Sequence, residues 1–238
     1  MDICYNVQAA IDGSNHFAID AAVTNDINDL NQLSTMAADA KELVEPDKMV
    51  VIADTGYYNA PEIKNCVDAG IAVYIKKGKS NNQTQDSRYR KDKFTYDSTR
   101  DAYTCPEGKE LFFFENTSKN GLKYRKFRCA ECGKCPKKSL CTTSMSGRTI
   151  QRWEHETILE QVCAETAAHN DIYKQRRCIV EHPFGTIKRQ LGYTFFLRRG
   201  TENVDAECAS MFIAYNLKRL LGMFSVIELK KKFETYRV

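Results

Sequence analysis

Residues 47–77, DKMVVIADTGYYNAPEIKNCVDAGIAVYIKK, constrain the fold more than any other stretch. Two short continuous apolar runs, MVVIA and IAVYI, have the length and branched composition of strands buried on both faces. Between them, NAPEIKNCVDAG carries helix punctuation, with Pro61 near its start and Gly70 just past its end. A strand, a helix and a second strand in so few residues commit the chain to an α/β arrangement. The first run ends at Asp54, just before Gly56. In open α/β sheets ligands gather at the carboxyl ends of strands, so Asp54 is a candidate site residue. The competing reading is an Asp that serves a turn or cap.

Upstream, Tyr5–Ile11 and His16–Val23 are rich in strand formers and flank a Gly-containing turn, which reads as a β-hairpin. In the segment that follows, Asn25 and Asp26 are cap-type residues, and Leu30, Leu33, Met36 and Ala37 fall at helical spacing. Asp20, Asp26 and Asp29 read as a strand surface residue, a helix cap and a helix surface residue. At Gly78 the character changes. GKSNNQTQDSRYRKDK is polar and loop-like, and short β-type runs then extend from Phe94 to about Thr142. From Arg148 the chain is expected to be helical, with Trp153 at the start of a helix as a core anchor. DAECASMFIAYNLKRLLGMF reads as a packed helix.

No stretch approaches the length of a transmembrane helix, and MDICYNVQAAIDG lacks the basic start and apolar run of a signal peptide. These features predict a cytoplasmic protein. Ten cysteines in a reducing compartment point to metal ligands or buried thiols rather than disulfides. Cys4, Cys66, Cys163, Cys178 and Cys208 are scattered among apolar neighbours and read as core thiols. Cys105, Cys129, Cys132, Cys135 and Cys141 crowd together as C-x23-C-x2-C-x2-C-x5-C. Thiolates in such short spacings suit tetrahedral Zn²⁺, and five candidates leave one spare. The rival is a reduced, metal-free cluster in a small β insertion. Lys134, Lys137 and Lys138 beside it fit either a phosphate-facing edge or a solvated charge run.

The net charge of +4 only hints at a nucleic-acid partner, but the cations cluster late in the chain. Lys174, Arg176, Arg177, Lys188, Arg189, Arg198 and Arg199 all fall in one segment. Within it, RRCIVEHPFGTIKRQLG (residues 176–192) holds one carboxylate, Glu181, among these cations. A metal-dependent site working on a polyanion needs both charges; the plainer reading is a surface Glu paired with a nearby Arg.

Three stretches resemble the DDE transposases of bacterial insertion sequences: VVIADTGYYN, the hairpin with its following VTNDINDLNQL, and RRCIVEHPFGTIKRQLG. One branch of that family carries a Tyr–Arg–Glu–Lys signature with two, three and six intervening residues. Tyr173, Arg177, Glu181 and Lys188 give three, three and six, so the first gap departs by one. Pro183 falls inside this helical segment and is expected to kink it or shift its register. The resemblance implies a ribonuclease-H-like core, incomplete at its N-terminus, with a small cysteine-rich β insertion and C-terminal helices. On this reading residues 1–78 and 148–225 form the core, 79–147 the insertion and 226–238 a tail.

The resemblance further implies that Asp54 and Glu181 are catalytic carboxylates holding Mg²⁺ or Mn²⁺, which prefer oxygen ligands. Tyr173, Arg177, Lys188 and Arg189 would contact DNA, and the intact family enzyme would be a homodimer. Such a core has three antiparallel strands before its first helix, and only two are visible here. The first strand and its Asp are therefore expected to be absent, with cleavage impaired, unless Asp12 serves as the first carboxylate. The unpaired edge left behind would invite aggregation. The alternatives are a non-catalytic DNA-binding or dimerisation fragment, and a ribonuclease-H-like nuclease unrelated to transposition.

Overall fold

The structure is a computed structural model that describes residues 5–78 and 86–235. It divides into two compact units, Met1–Gly78 with Ile158–Val238, and Lys79–Thr157.

The first unit opens with a hairpin of β1 (Asn6–Ile11) and β2 (Ala18–Thr24). Asp12 closes it, because its carboxylate accepts the Ser14 and Asn15 backbone N–H groups at 3.1 and 2.7 Å. Helix α1 (Leu33–Val44) starts well after the expected caps Asn25 and Asp26. Strand β3 (Met49–Ile52) follows, then helix α2 (Ala60–Asp68) and strand β4 (Ile71–Tyr74), which lies parallel to β3. Gly70 adopts φ +70° just past α2, the position where a side chain would be strained.

The late start of α1 has a tertiary cause. Glu62 on α2 accepts both the backbone N–H and the hydroxyl of Ser34, at 2.9 and 2.7 Å, so a neighbouring helix supplies the missing cap. The expectation of a strand buried on both faces holds for most of β4, where Ile71, Val73 and Tyr74 are buried and Ala72 is exposed. It fails for β3, where Val50 is 49% exposed. Among the described residues, β1–β2 and β3–β4 are separate two-stranded sheets.

In the second unit β5 (Thr95–Asp97), β6 (Ala102–Thr104), β7 (Glu110–Lys119), β8 (Leu122–Arg128) and β9 (Thr149–Trp153) form an antiparallel sheet in sequence order. A one-turn helix, α3 (Lys138–Cys141), precedes β9. Phe94, Tyr103, Leu111, Phe127, Cys129 and Ile150 make its core. Residues 149–153 therefore correct the expectation of helix from Arg148. Their pairing with β8 puts Ile150, Arg152 and Trp153 inside, and local helical spacing loses to cross-strand packing. Trp153 is a core residue, on a strand. The second unit thus runs to Thr157, ten residues beyond the limit expected from the sequence.

The chain returns to the first unit through α4 (Glu156–Ala168) and α5 (Asn170–Gly185). A π-helical turn over Thr186–Gln190 leads to α6 (Thr201–Met223) and α7 (Val226–Thr235). Residues 226–235, expected as tail, are helical. Pro183 is buried inside α5; it removes one backbone donor, and the wide turn begins three residues later.

Helix α6 packs on β2 with Val204, Cys208, Met211, Phe212 and Tyr215 against Ala18, Val23 and Ile187. Its polar residues serve the outer edge of β2. The Asn216 amide accepts from Ala18 N at 2.9 Å and donates to Ala18 O at 2.8 Å, and Asp205 accepts from Val23 N at 2.8 Å. These bonds cover the free edge of β2; the edge expected to lie open belongs to β1, on the other side of the hairpin. Among the described residues no helix is long and apolar enough to cross a membrane.

The scattered cysteines separate into two groups. Cys66 and Cys208 are buried as expected, and burial pushes each thiol up to about 11. Cys163 and Cys178 are exposed, which corrects their assignment to the core. Cys4 and much of the polar segment after Gly78 lie outside the described residues.

Candidate functional site

Asp54 stands where β3 ends. Ala53 still pairs with Tyr74 O at 3.1 Å, and the chain then turns through Thr55–Tyr57. The Asp54 carboxylate caps that turn, accepting from Thr55 N at 2.7 Å. It also accepts from Arg176 Nη2 of α5 at 3.0 Å. The Thr55 N–H is the largest influence on the carboxyl and, joined by Arg176, outweighs burial and holds it below its usual range. With 64% of its side chain exposed, Asp54 is ionised and accessible. It is at once a turn cap and a residue tied to another element.

Arg176 lies over the ring of Tyr173, 4.5 Å from its centroid, and Lys76 stands 4.7 Å from the same ring. Tyr173 is 3% exposed. The ring faces inward and serves as a platform for two cations. Glu181 lies elsewhere on α5. It is five residues beyond Arg176, so at about 100° per residue it falls roughly 140° around the helix. There it is 74% exposed and faces Arg177 at 3.6 Å, an i,i+4 pair. Thus α5 reaches Asp54 through Arg176. Lys188 and Arg189 are exposed on the π-helical turn.

Asp12, the substitute first carboxylate, is engaged by the hairpin turn it closes. The acid that shares surroundings with Asp54 is one the sequence reading placed on a helix surface. Asp29 sits in the loop before α1 and accepts from Asn6 and Gln8 at 2.7 and 2.8 Å. Gln8 in turn accepts from the hydroxyl of Tyr57. A Cβ added at Gly56 would lie 3.5 Å from Asp29 Oδ2. Burial, and then the charges of Asp29 and Asp54, push Tyr57 up to about 12. One sequence signal for this network exists. Asn6 and Gln8 alternate on one face of a strand, and the fully buried Gln8 needs polar partners.

Exposed ionised carboxylates are the donors Mg²⁺ prefers. Asp54 and Glu181 have that chemistry, but each already faces an arginine. Among the described residues no three His, Cys, Asp or Glu side chains form a group able to hold a metal. The arrangement therefore does not fit a shared metal cradle. The same holds for the cysteine cluster expected to bind zinc. Cys105, Cys132, Cys135 and Cys141 line one cavity of the second unit together with Lys109, Lys138 and Arg148. Cys129 is buried in the aromatic core, and its thiol is raised chiefly by that burial. Their donor chemistry suits zinc; their grouping does not.

Residues 104–221, just under half of the chain, match a sequence family described as a transposase DDE domain. The match includes Glu181 and its cations and leaves Asp54 outside. It supports a DDE transposase, a family that generally uses a divalent metal and acts on DNA. The mixed α/β architecture is consistent with such a domain. No curated protein and no solved structure matches the chain.

Proposed function

We propose that this chain is a DDE transposase that engages DNA phosphodiesters and whose strand cleavage is impaired in the arrangement described. Asp54 and Glu181 are its acidic residues, and Arg177, Lys188 and Arg189 are its phosphate contacts. On this reading the first unit derives from a ribonuclease-H-like core. The observation that carries the proposal is the Arg176–Asp54 bond, which joins the end of β3 to the helix bearing Glu181. The transposase DDE match over that helix gives the bond its functional meaning.

Impairment follows from the same bond. Hydrolysis and strand transfer at phosphorus need carboxylates that converge on the attacking and leaving oxygens. Here one carboxylate is engaged by Arg176, and the other points away around α5. What remains available is an exposed set of cations on α5 and its π-helical turn, suited to a DNA backbone.

Fluorescence anisotropy with a DNA duplex and a plasmid-nicking assay with Mg²⁺ or Mn²⁺ test both halves. The expected result is salt-sensitive DNA binding without Asp54-dependent nicking. Metal-dependent nicking abolished by Asp54→Ala overturns the impairment, and DNA binding that ignores salt overturns the phosphate contacts.

A further inference from the structure

The end of α5, the π-helical turn and the C-terminal half of α6 line an open cavity of about 270 Å³, bordered by His182, Thr186, Gln190, Lys218 and Arg219 above the buried Tyr215. Among the described residues no carboxylate lines it. Two cations from α6 do, joined by a hydroxyl and an amide from the π-helical turn. π-Turns of this kind recur at functional sites because the widened backbone opens side-chain space.

Arg219 is only partly satisfied. Its guanidinium reaches Tyr215, yet its Nε is buried with no hydrogen-bond partner. A buried donor left unmet destabilises a fold, and charged donors do so most. Among the described residues the neighbouring groups include no acid to meet it. Tyr215 donates to His16 O at 2.6 Å and meets His182 Nδ1 at 3.1 Å. Burial, and then Arg219 and His16, hold His182 below its usual range, so its ring favours the neutral form and Lys218 and Arg219 carry the charge of the cavity. A planar guanidinium that lines a cavity can grip two oxygens of one tetrahedral anion through its terminal Nη groups.

We propose that this cavity is a phosphate-binding site, in which Arg219 grips two phosphate oxygens, Lys218 supplies the second charge, and Thr186 and Gln190 donate to the rest. The proposal rests on the DNA-directed reading only for the source of the phosphate, taken to be the DNA backbone. A free phosphate or nucleotide offers the same chemistry from another source. None of the residues proposed as catalytic or as phosphate contacts lines this cavity, so it is separate from the Asp54 site.

The test uses the full chain, with Lys218→Ala and Arg219→Lys as variants. The first removes an exposed charge; the second keeps the charge and removes the buried Nε. Circular dichroism in phosphate-free buffer confirms that each folds. DNA affinity is measured across a salt series, and thermal stabilisation by inorganic phosphate is measured separately. The expected result is roughly tenfold weaker DNA binding in each variant. The salt slope should fall by about one in Lys218→Ala, and stabilisation by phosphate should be lost in both. Loss of phosphate stabilisation with unchanged DNA binding keeps the site and overturns the DNA source. Unchanged DNA affinity and unchanged phosphate stabilisation overturn the site itself. If the wild-type chain binds no DNA, the DNA-directed reading fails while the phosphate measurement still decides the cavity.

Discussion

Arg176→Met removes a side chain that joins α5 to the end of β3, and its cost can be worked from two contacts. The first is the 3.0 Å bond to Asp54. Asp54 is 64% exposed, so solvent screens the pair and its value is about 0.2–1 kcal/mol. The second is the guanidinium over Tyr173 at 4.5 Å, worth about 0.5–1 kcal/mol. Together they predict a loss of about 1–2 kcal/mol at pH 7, measurable by urea unfolding.

The two parts separate by pH. The folded carboxyl of Asp54 titrates below its unfolded value, so its contribution is complete above about pH 4 and disappears as pH falls through the folded value. The ring contact does not titrate. The deficit of Arg176→Met should therefore shrink in acid to about 0.5–1 kcal/mol. A cycle with Asp54→Asn should give a coupling no larger than ~1 kcal/mol. Because the Thr55 N–H is the larger cause, Asp54 should remain below the ordinary carboxylate range in Arg176→Met when followed by NMR. A coupling above about 2 kcal/mol, or a deficit unchanged in acid, would refute the reasoning.

Three further outcomes follow from the geometry. Gly147→Ala would place a Cβ 2.6 Å from Cys132 Cβ at φ +88°. Left-handed strain of about 1–2 kcal/mol and overpacking of about 1–3 kcal/mol predict a loss of roughly 2–5 kcal/mol in thermal unfolding, and a loss under ~1 kcal/mol would show that the turn is not held there. Tyr173→Ala should cost about 3–5 kcal/mol as a buried aromatic truncation, while Tyr173→Phe should leave DNA affinity unchanged; weaker binding by a stable Tyr173→Phe would return the ring to the DNA surface. In thiol labelling at pH 8 followed by mass spectrometry, Cys163 and Cys178 should react first and Cys66 and Cys208 only on unfolding, since burial pushes the latter pair up to about 11; early labelling of Cys208 would contradict the packing of α6.

Where local chemistry decided the structure, the sequence was a sufficient guide. Pro61 and Gly70 bound α2, and the flanking apolar runs became β3 and β4. Where a distant element decided, it was not. The start of α1 depends on Glu62, and β9 forms because β8 is beside it. The site divides in the same way. Asp54 at a strand end was legible, because strand and breaker lie in one stretch. Asp29 was not, because its partners Asn6 and Gln8 are more than twenty residues away. The four-residue spacing of Arg177 and Glu181 correctly placed them on one face. Which face met Asp54 was decided by the packing of Tyr173, which turns Arg176 inward.

Asn216 and Asp205 complete the outer edge of β2 from 198 and 182 residues downstream. That separation is also a delay during synthesis. At about 5–20 residues per second, a ribosome needs roughly 10–40 s to pass from Ala18 to Asn216. Throughout that interval the hairpin emerges with its edge amides unserved, able to template pairing with another nascent chain. The vulnerable period of this protein is therefore timed by the translation of α6, and slowing that stretch of the message should raise aggregation without changing a residue.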